Sequence, residues 1–443
     1  MIDPALISSR MSGGLFAPTD AAAASLRPPL TAFGGIGIEL EYAIVARDSL
    51  HILPLADRVL AAAGGPGATE AARGTFGWSN ELALHVIEIK NIVPAPSVAG
   101  LATGFAAEVT AIDALLVPYG ARLLPGGMHP WMQPATETRL WPHANAECYR
   151  QFDRIFDCAR HGWSNLQSMQ VNLPFADDEQ FARLHAAIRL VLPIIPALAA
   201  SSPFMEGADS GHADSRLMVY RDNAARVPAI AGAVIPQTVR TRAEYTASIL
   251  APMYEAIAPY DPAGQLQHEW LNARGAIARF DRNAIEIRLA DTQECPRADI
   301  AVAAAITSVV RMLYREETVP LAAQQAMPTA YLADILQRCI TRAEQAALTG
   351  TECAAYLALL GYPASACRAQ QLWRHLIRGG TPEPGMDDAT AAALGHILEH
   401  GSLATRLRRA THGDPSPARL HSLYRRLADC LHDDRLFGVH RIG

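Results

Sequence analysis

Several chemistries are excluded by what this 443-residue sequence does not contain. It has no CxxC pair, and its seven cysteines (148, 158, 295, 339, 353, 367 and 430) are scattered and odd in number. A disulfide framework or a structural zinc site is therefore disfavoured, and reduced thiols in a cytoplasm are expected. No cluster of Lys and Arg stands out, and 44 acidic against 38 basic side chains leave a net charge of -6, which argues against a nucleic-acid partner. No basic segment followed by an apolar run opens the chain, so residues 1–30 read as a loose leader and not as a signal peptide. No apolar window approaches the roughly 20 residues that span a bilayer, since even residues 186–200 are interrupted by Arg189, Pro193 and Pro196. There is no GxxxxGK[ST], no GxGxxG opening a helix, no HExxH and no GxSxG, so the usual signatures of P-loop, dinucleotide, zinc-protease and serine-hydrolase chemistry are missing. No cysteine sits in a setting that would activate its thiol.

What is present is a globular chain, half hydrophobic and 19% charged, with four segments of alternating polarity. In Gly37-Ile38-Glu39-Leu40-Glu41-Tyr42, strand geometry puts Glu39 and Glu41 on one face, with Ile38, Leu40 and Tyr42 on the other. Residues 82–90 place Glu88 and Lys90 together; Glu81, seven residues before Glu88, can join them only from the entering loop or behind a bulge. Residues 166–175 align Gln170 with Asn172, and residues 284–291 align Glu286 with Arg288. Helical spacing is read over 51–63, 97–116 with Ser97 as cap, and 178–192 capped by Asp177 or Asp178. A glycine turn, Gly126-Gly127-Met128-His129, carries one imidazole, which matters only if other groups converge on it. From residue 296 onward the spacing is helical: 299–316, 330–348, 352–361, 366–378, 387–408 and 418–432, with basic runs such as Arg406-Leu407-Arg408-Arg409 read as solvated faces.

Taken together, the polar faces offer carboxylates and carboxamides at even spacing, a donor set suited to octahedral Mg2+, while Lys90 and Arg288 suit phosphate or carboxylate. A solvated outer face of an antiparallel sheet is the alternative reading of each strand.

The Glu39/Glu41 strand, the Glu81 to Glu88 spacing, Met169-Gln170-Val171-Asn172-Leu173, Ser201-Ser202-Pro203-Phe204-Met205-Glu206-Gly207 and Ile285-Glu286-Ile287-Arg288 together resemble the glutamate-cysteine ligase superfamily. The match runs over about residues 34–315 and is nearest the plant and proteobacterial branch, to which Ala251-Pro252-Met253-Tyr254 contributes. The resemblance implies an α+β fold of glutamine-synthetase-like type: a curved antiparallel β-sheet funnel with outer helices, catalytic over 31–318, followed by a helical C-terminal region over 319–443. It implies an ATP- and Mg2+-dependent ligase that activates the γ-carboxylate of L-glutamate as an acyl phosphate and joins it to an amine, L-cysteine by family, or another amine in a specialised pathway. On that basis Glu39, Glu41, Glu81, Glu88 and Glu286 are expected to hold metal. Lys90 and Arg288 are the expected catalytic cations, and together with Asn172 and Arg274 they are expected at ATP. Arg216, Gln170 and His129 are expected at the substrates, with Arg216 on an α-carboxylate. The expected partners are small molecules, without nucleic acid or membrane, and a homodimer is compatible. A non-catalytic binder of glutamate or nucleotide, or a metal-dependent phosphohydrolase, is the reading from another class.

Overall fold

The computed structural model describes residues 28–438; the leader expected over 1–30 lies almost wholly outside the described residues. Eight strands form one antiparallel sheet: β1 (Gly37–Ala46), β2 (Glu70–Arg73), β3 (Phe76–Asn80), β4 (Val86–Asn91), β5 (Ala121–Leu124), β6 (Ser168–Pro174), β7 (Ala276–Arg279) and β8 (Ala284–Asp291). Their order is β2-β3-β4-β1-β6-β8-β7, with β5 joined to the distal half of β1. The end strands β2 and β7 do not pair with each other, so the sheet is open and not closed into a ring. β1 lies at its centre because the alternation that exposes Glu39 and Glu41 on one face leaves Ile38, Leu40, Tyr42 and Ile44 fully buried on the other.

The hairpin β2–β3 was not visible in the hydrophobic pattern, since only Ala71 of β2 is buried. Its signal is the two-residue Gly74-Thr75 connection between the paired Arg73 and Phe76, with Gly74 at φ +66°, a turn that glycine enters without a Cβ penalty. The helix expected over 97–116 begins four residues later, at Leu101: Ser97 makes only a local turn contact to the Ala99 amide, and Gly100 precedes the first turn. Counted through Tyr119, that helix, α2 (Leu101–Leu116), is long and apolar enough by length and composition to cross a membrane, contrary to the expectation that no apolar window approaches a span. Its Phe105, Val109, Ile112 and Leu116 pack into the core.

The apolar face of the sheet is covered by α4 (Asp178–Val191), capped by Asp177 through the Gln180 amide as expected, and by α6 (Pro296–Tyr314), most of whose side chains are buried. The chain beyond α6 joins the same core through Leu332, Ile335, Tyr356, Trp373 and Ile397. The single helix expected over 387–408 is two, α9 (Asp388–His400) and α10 (Leu403–Ala410). Gly401 at φ +91° ends the first, and the Ser402 hydroxyl caps the second by accepting from the Thr405 amide. Arg406 also departs from the expectation of a solvated basic face. It is buried and forms an ion pair with Glu294, while Arg408 pairs with Asp209 at the surface.

Candidate active site

Antiparallel register carries the polar residues of one strand onto those of the next. Ser79 lies opposite Glu88, and Glu88 opposite Glu41; Lys90 lies opposite Glu39, which on its other side meets Gln170; Asn172 faces Glu286. Directly opposed side chains stand roughly 5 Å apart at Cβ, so the register builds a continuous acidic floor. Glu81 leaves the end of β3 in the loop before β4, which resolves its odd spacing: one oxygen each of Glu41, Glu81 and Glu88 lie within 4.8 Å of one another.

Neighbouring groups orient these carboxylates. Glu41 accepts from the Ser168 amide (2.8 Å), the Ser168 hydroxyl (3.0 Å) and Gln170 Nε2 (2.8 Å). Asn172 Nδ2 donates to Glu39 at 3.0 Å, and Ser79 Oγ donates to Glu88 at 2.6 Å. Lys90 Nζ lies 3.0 Å from Glu88 and 3.5 Å from Glu70. Glu286 is bridged by Arg288 and by Arg279, the latter at 3.3 Å.

The carboxyls divide into two groups by environment. Burial, with Glu88 and Glu286 adding to it, pushes the Glu39 carboxyl up to about 8; burial and then Glu88 push Glu41 up to about 7. Burial, followed by Glu41 and Glu88, lifts Glu81 well above the usual carboxylate range. Burial opposes ionisation of Glu88 and Glu286 as well. There, Lys90 beside Glu88, and Arg288 and Arg279 beside Glu286, outweigh it and hold both carboxyls below their ordinary value. For Glu39, Glu41 and Glu81 the cations nearby, Lys90 and Arg216 among them, are outweighed by burial and neighbouring carboxylates. Two carboxylates about 4 Å apart repel by about 4 kcal/mol at an effective dielectric of 20, and a divalent cation between them reverses the sign. The donors fit Mg2+: they are hard oxygens, their spread is comparable with the roughly 4 Å between opposite ligands of a Mg2+ octahedron, and Glu81 Oε1 is buried with no hydrogen-bond partner among the described residues.

A cleft of about 160 Å³ opens beside this floor, lined by Glu41, Glu81, Gln170, Arg216 and Arg288 among others. Arg288 is aimed by a bulge: the register of β8 on β6 slips by one residue between Ile287 and Ala290, a device that re-aims a side chain. Arg216 lies on α5 (Ser215–Arg221), whose N-terminus is capped by Asp214. Its Nε donates to Asp291 Oδ1 at 2.5 Å. Asp291 also accepts from the Ser201 amide (2.8 Å) and the Ser202 hydroxyl (2.7 Å).

Two expected site residues are not brought here. His129 is buried on another side of the sheet, with Nε2 2.7 Å from the Leu50 carbonyl and Nδ1 accepting from the Trp131 amide; burial lowers its pKa to about 3. The glycine turn that precedes it has a different task, because a Cβ on Gly127 would lie 2.4 Å from an Asp291 carboxylate oxygen. Arg274 lies outside the lining of the cleft. Its Nε donates to Gln237, and its Nη1 to the Ala229 and Ile230 carbonyls and to Asn272, tying down the loop before β7. Sequence reasoning missed Arg279, Ser79, Ser168 and Asp291. Arg279 and Ser79 lie in strands whose alternation is too short to read; Ser168 shares the spacing of Gln170 and Asn172 and could have been found from it, whereas Asp291 spaces with the apolar residues of its strand and is turned by the register slip before it.

A large antiparallel sheet with outer helices, whose polar face carries clustered carboxylates beside a cleft that Arg216 and Arg288 also line, is the arrangement of a carboxylate-amine ligase. The chain belongs to the glutamate-cysteine ligase family 2, whose model matches residues 35–421. An uncharacterized protein of Archaeoglobus fulgidus is 37% identical over 276 residues, covering 62% of this chain and 74% of its own. The glutamate-cysteine ligase of Haloferax volcanii is 28% identical over 191 residues, and the alignment spans 43% of this chain and about half (49%) of that relative's length. The same fold is seen in the crystal structure of the Francisella tularensis glutamate-cysteine ligase in complex with AMP, at a TM-score of 0.57 and 12% identity, covering 90% of this chain and 88% of that one.

Proposed function

We propose that the protein uses ATP and Mg2+ to activate the γ-carboxylate of L-glutamate as an acyl phosphate, which an amine then attacks. The observation that carries this reading is the convergence of Glu41, Glu81 and Glu88 within 4.8 Å at a cleft that Arg216 and Arg288 also line. A phosphohydrolase would need the acidic floor, but it would have no use for a buried arginine held in place to receive a carboxylate. Membership of the glutamate-cysteine ligase family 2 supports glutamate as the substrate, and the Francisella tularensis ligase of the same fold is seen in complex with AMP.

Phosphoryl transfer asks a protein chiefly to position groups and to neutralise developing charge. Glu39, Glu41, Glu81, Glu88 and Glu286 would hold Mg2+, which supplies positive charge between the phosphate oxygens. Ser168, Gln170, Asn172 and Ser79 keep those carboxylates oriented. Lys90 and Arg288, fixed beside Glu88 and Glu286, present charge to the phosphates and to the transferring group. Arg216 meets the α-carboxylate of glutamate, its guanidinium plane set by Asp291. Free thiols at all seven cysteines support a cytoplasmic setting.

Purified protein with ATP, Mg2+ and glutamate should convert hydroxylamine, a small general trap, to γ-glutamyl hydroxamate with release of one phosphate. Cysteine, the acceptor that gives the family its name, is the first natural amine to compare. Phosphate release that is indifferent to both glutamate and amine would instead identify a hydrolase.

A further inference from the structure

The cleft has two unlike kinds of lining. Glu41, Glu81, Gln170 and Arg288 line it from the sheet and its loops and Arg216 from α5, while Tyr149, Phe152, Trp163, Leu166, Trp270 and Leu271 form an aromatic and apolar lining. Tyr149 and Phe152 come from α3 (Ala146–Phe156), Trp163 from the short helix His161–Ser164 and Trp270 from the turn Glu269–Leu271. Phe152 ties the group together, its ring centroid 5.4 Å from that of Trp163 and 5.7 Å from that of Trp270. Phe152 and Tyr149 are buried, whereas both tryptophans are half-buried and line the cleft.

Charge is distributed as unevenly as shape. Arg216 and Arg288 are the only cationic side chains lining the cleft among the described residues, and both are already ion-paired, with Asp291 and Glu286. In the reading above they serve glutamate and phosphate. No cation remains for a second carboxylate on the aromatic side. The polar groups there are carboxamides and hydroxyls, most of them already engaged: Asn272 donates to Tyr245 and accepts from Arg274, and the Tyr149 hydroxyl accepts from Asn80. Asn223 and the Tyr220 hydroxyl are the exceptions among the described residues. Asn223 Nδ2 donates to the Gly162 carbonyl, which orients its Oδ1, buried and without a partner among the described residues, as an acceptor for an N–H group.

We propose that the acceptor is an apolar, aromatic or arylalkyl primary amine that lacks a carboxylate. This rests on the acyl-phosphate reading above and extends it to the second substrate. A cysteine would bring an α-carboxylate with no partner on this wall, and its small side chain would leave the aromatic surface wet. An arylalkylamine covers that surface and offers only N–H donors. The step balances. The neutral amine nitrogen attacks the glutamyl acyl carbon, the C–N bond forms as the C–O bond to phosphate breaks, and phosphate leaves with the bonding pair and takes up the proton the nitrogen loses.

The test uses the full chain with ATP, Mg2+ and glutamate, and four amines in parallel: hydroxylamine, phenethylamine, L-phenylalanine and L-cysteine, with products identified by mass. Hydroxamate formation reports the acyl phosphate whatever the acceptor pocket prefers. With it present, phenethylamine should give γ-glutamylphenethylamide with a kcat/KM at least about 10-fold above that of cysteine. Phenylalanine, the same ring with a carboxylate added, should fall well below phenethylamine. Cysteine matching or exceeding phenethylamine, or phenylalanine equalling it, overturns the proposal while leaving the ligase reading intact. Absence of hydroxamate defeats the ligase reading instead. In that case a calorimetric titration decides the pocket alone: phenethylamine should bind at least about 10-fold tighter than ethylamine, and equal affinities overturn the aromatic subsite.

Discussion

Glu41 receives three hydrogen bonds, from the Ser168 amide and hydroxyl and from Gln170, yet its carboxyl is still pushed up to about 7, because burial and Glu88 outweigh them. Glu39, at about 8, is in the same position. Relative to the ordinary 4.5, both carboxyls hold their protons more tightly in the folded chain than in the unfolded one. Between about pH 4.5 and 8 the folded state therefore binds more protons, and stability must fall as pH rises through that window. The metal-free protein should accordingly melt at a lower temperature at pH 8 than at pH 5.5 in EDTA. Added Mg2+, which selects the ionised carboxylates, should raise Tm more at pH 8 than at pH 5.5. A melting temperature that climbs with pH in EDTA would falsify this account of the acidic floor. Glu41→Gln keeps the shape but removes a charge that the cation needs. Its hydroxamate-forming activity should drop by at least about 100-fold, on the order of a lost charge-stabilising group, while its circular dichroism spectrum matches the parent; near-normal turnover would remove Glu41 from the metal set.

Turns and bulges place what the strands only present. The slipped register of β8 directs Arg288 toward the cleft, and the turn at Gly127 lets the backbone pass against the carboxylate that sets Arg216. A Cβ at residue 127 would sit 2.3 Å from Asp291 Cγ, closer than any real contact. Gly127→Ala should therefore displace Asp291 and with it the Arg216 guanidinium, which lies 2.5 Å away. Steady-state kinetics should show KM for glutamate rising about 10-fold or more, as expected for loss of a bidentate carboxylate contact, with KM for ATP little changed; equal rises in both would disconnect the turn from glutamate. This part of the site was partly legible in advance. The four long alternating strands gave Glu39, Glu41, Glu88, Gln170, Asn172, Glu286 and Arg288 their faces, because period-two spacing survives translation into any sheet. The short hairpin, the bulge and the role of Gly127 were not legible, since each depends on what lies across from it.

At the scale of the molecule, the C-terminal helices close the fold and are packed as part of it. The Arg406 guanidinium forms a bidentate pair with Glu294, three residues beyond Asp291 at the end of β8, and also donates to the Phe437 carbonyl at 3.0 Å. With both side chains 5% exposed or less, Arg406→Ala would strand a buried carboxylate, at a cost of about 3–5 kcal/mol. Chemical denaturation should show a loss of that size; a loss under about 1 kcal/mol would mean the tail is only loosely attached. α11 (Pro417–His432) packs on β5 through Leu420, Leu427 and neighbouring apolar residues of a second core cluster, and Arg122 of β5 meets Asp429 at 3.0 Å. By itself the sequence determined the metal-ready alternation, the family and the exclusion of P-loop and dinucleotide motifs, because those depend on residue type and spacing along one strand or one loop. Tertiary structure decided the rest: that His129 and Arg274 stand apart, that Arg406 is buried, and that an aromatic cluster lines the same cleft as Glu41 and Glu81. Each of these is set by which distant segment comes to lie opposite, and proximity of that kind leaves no periodic trace along the chain.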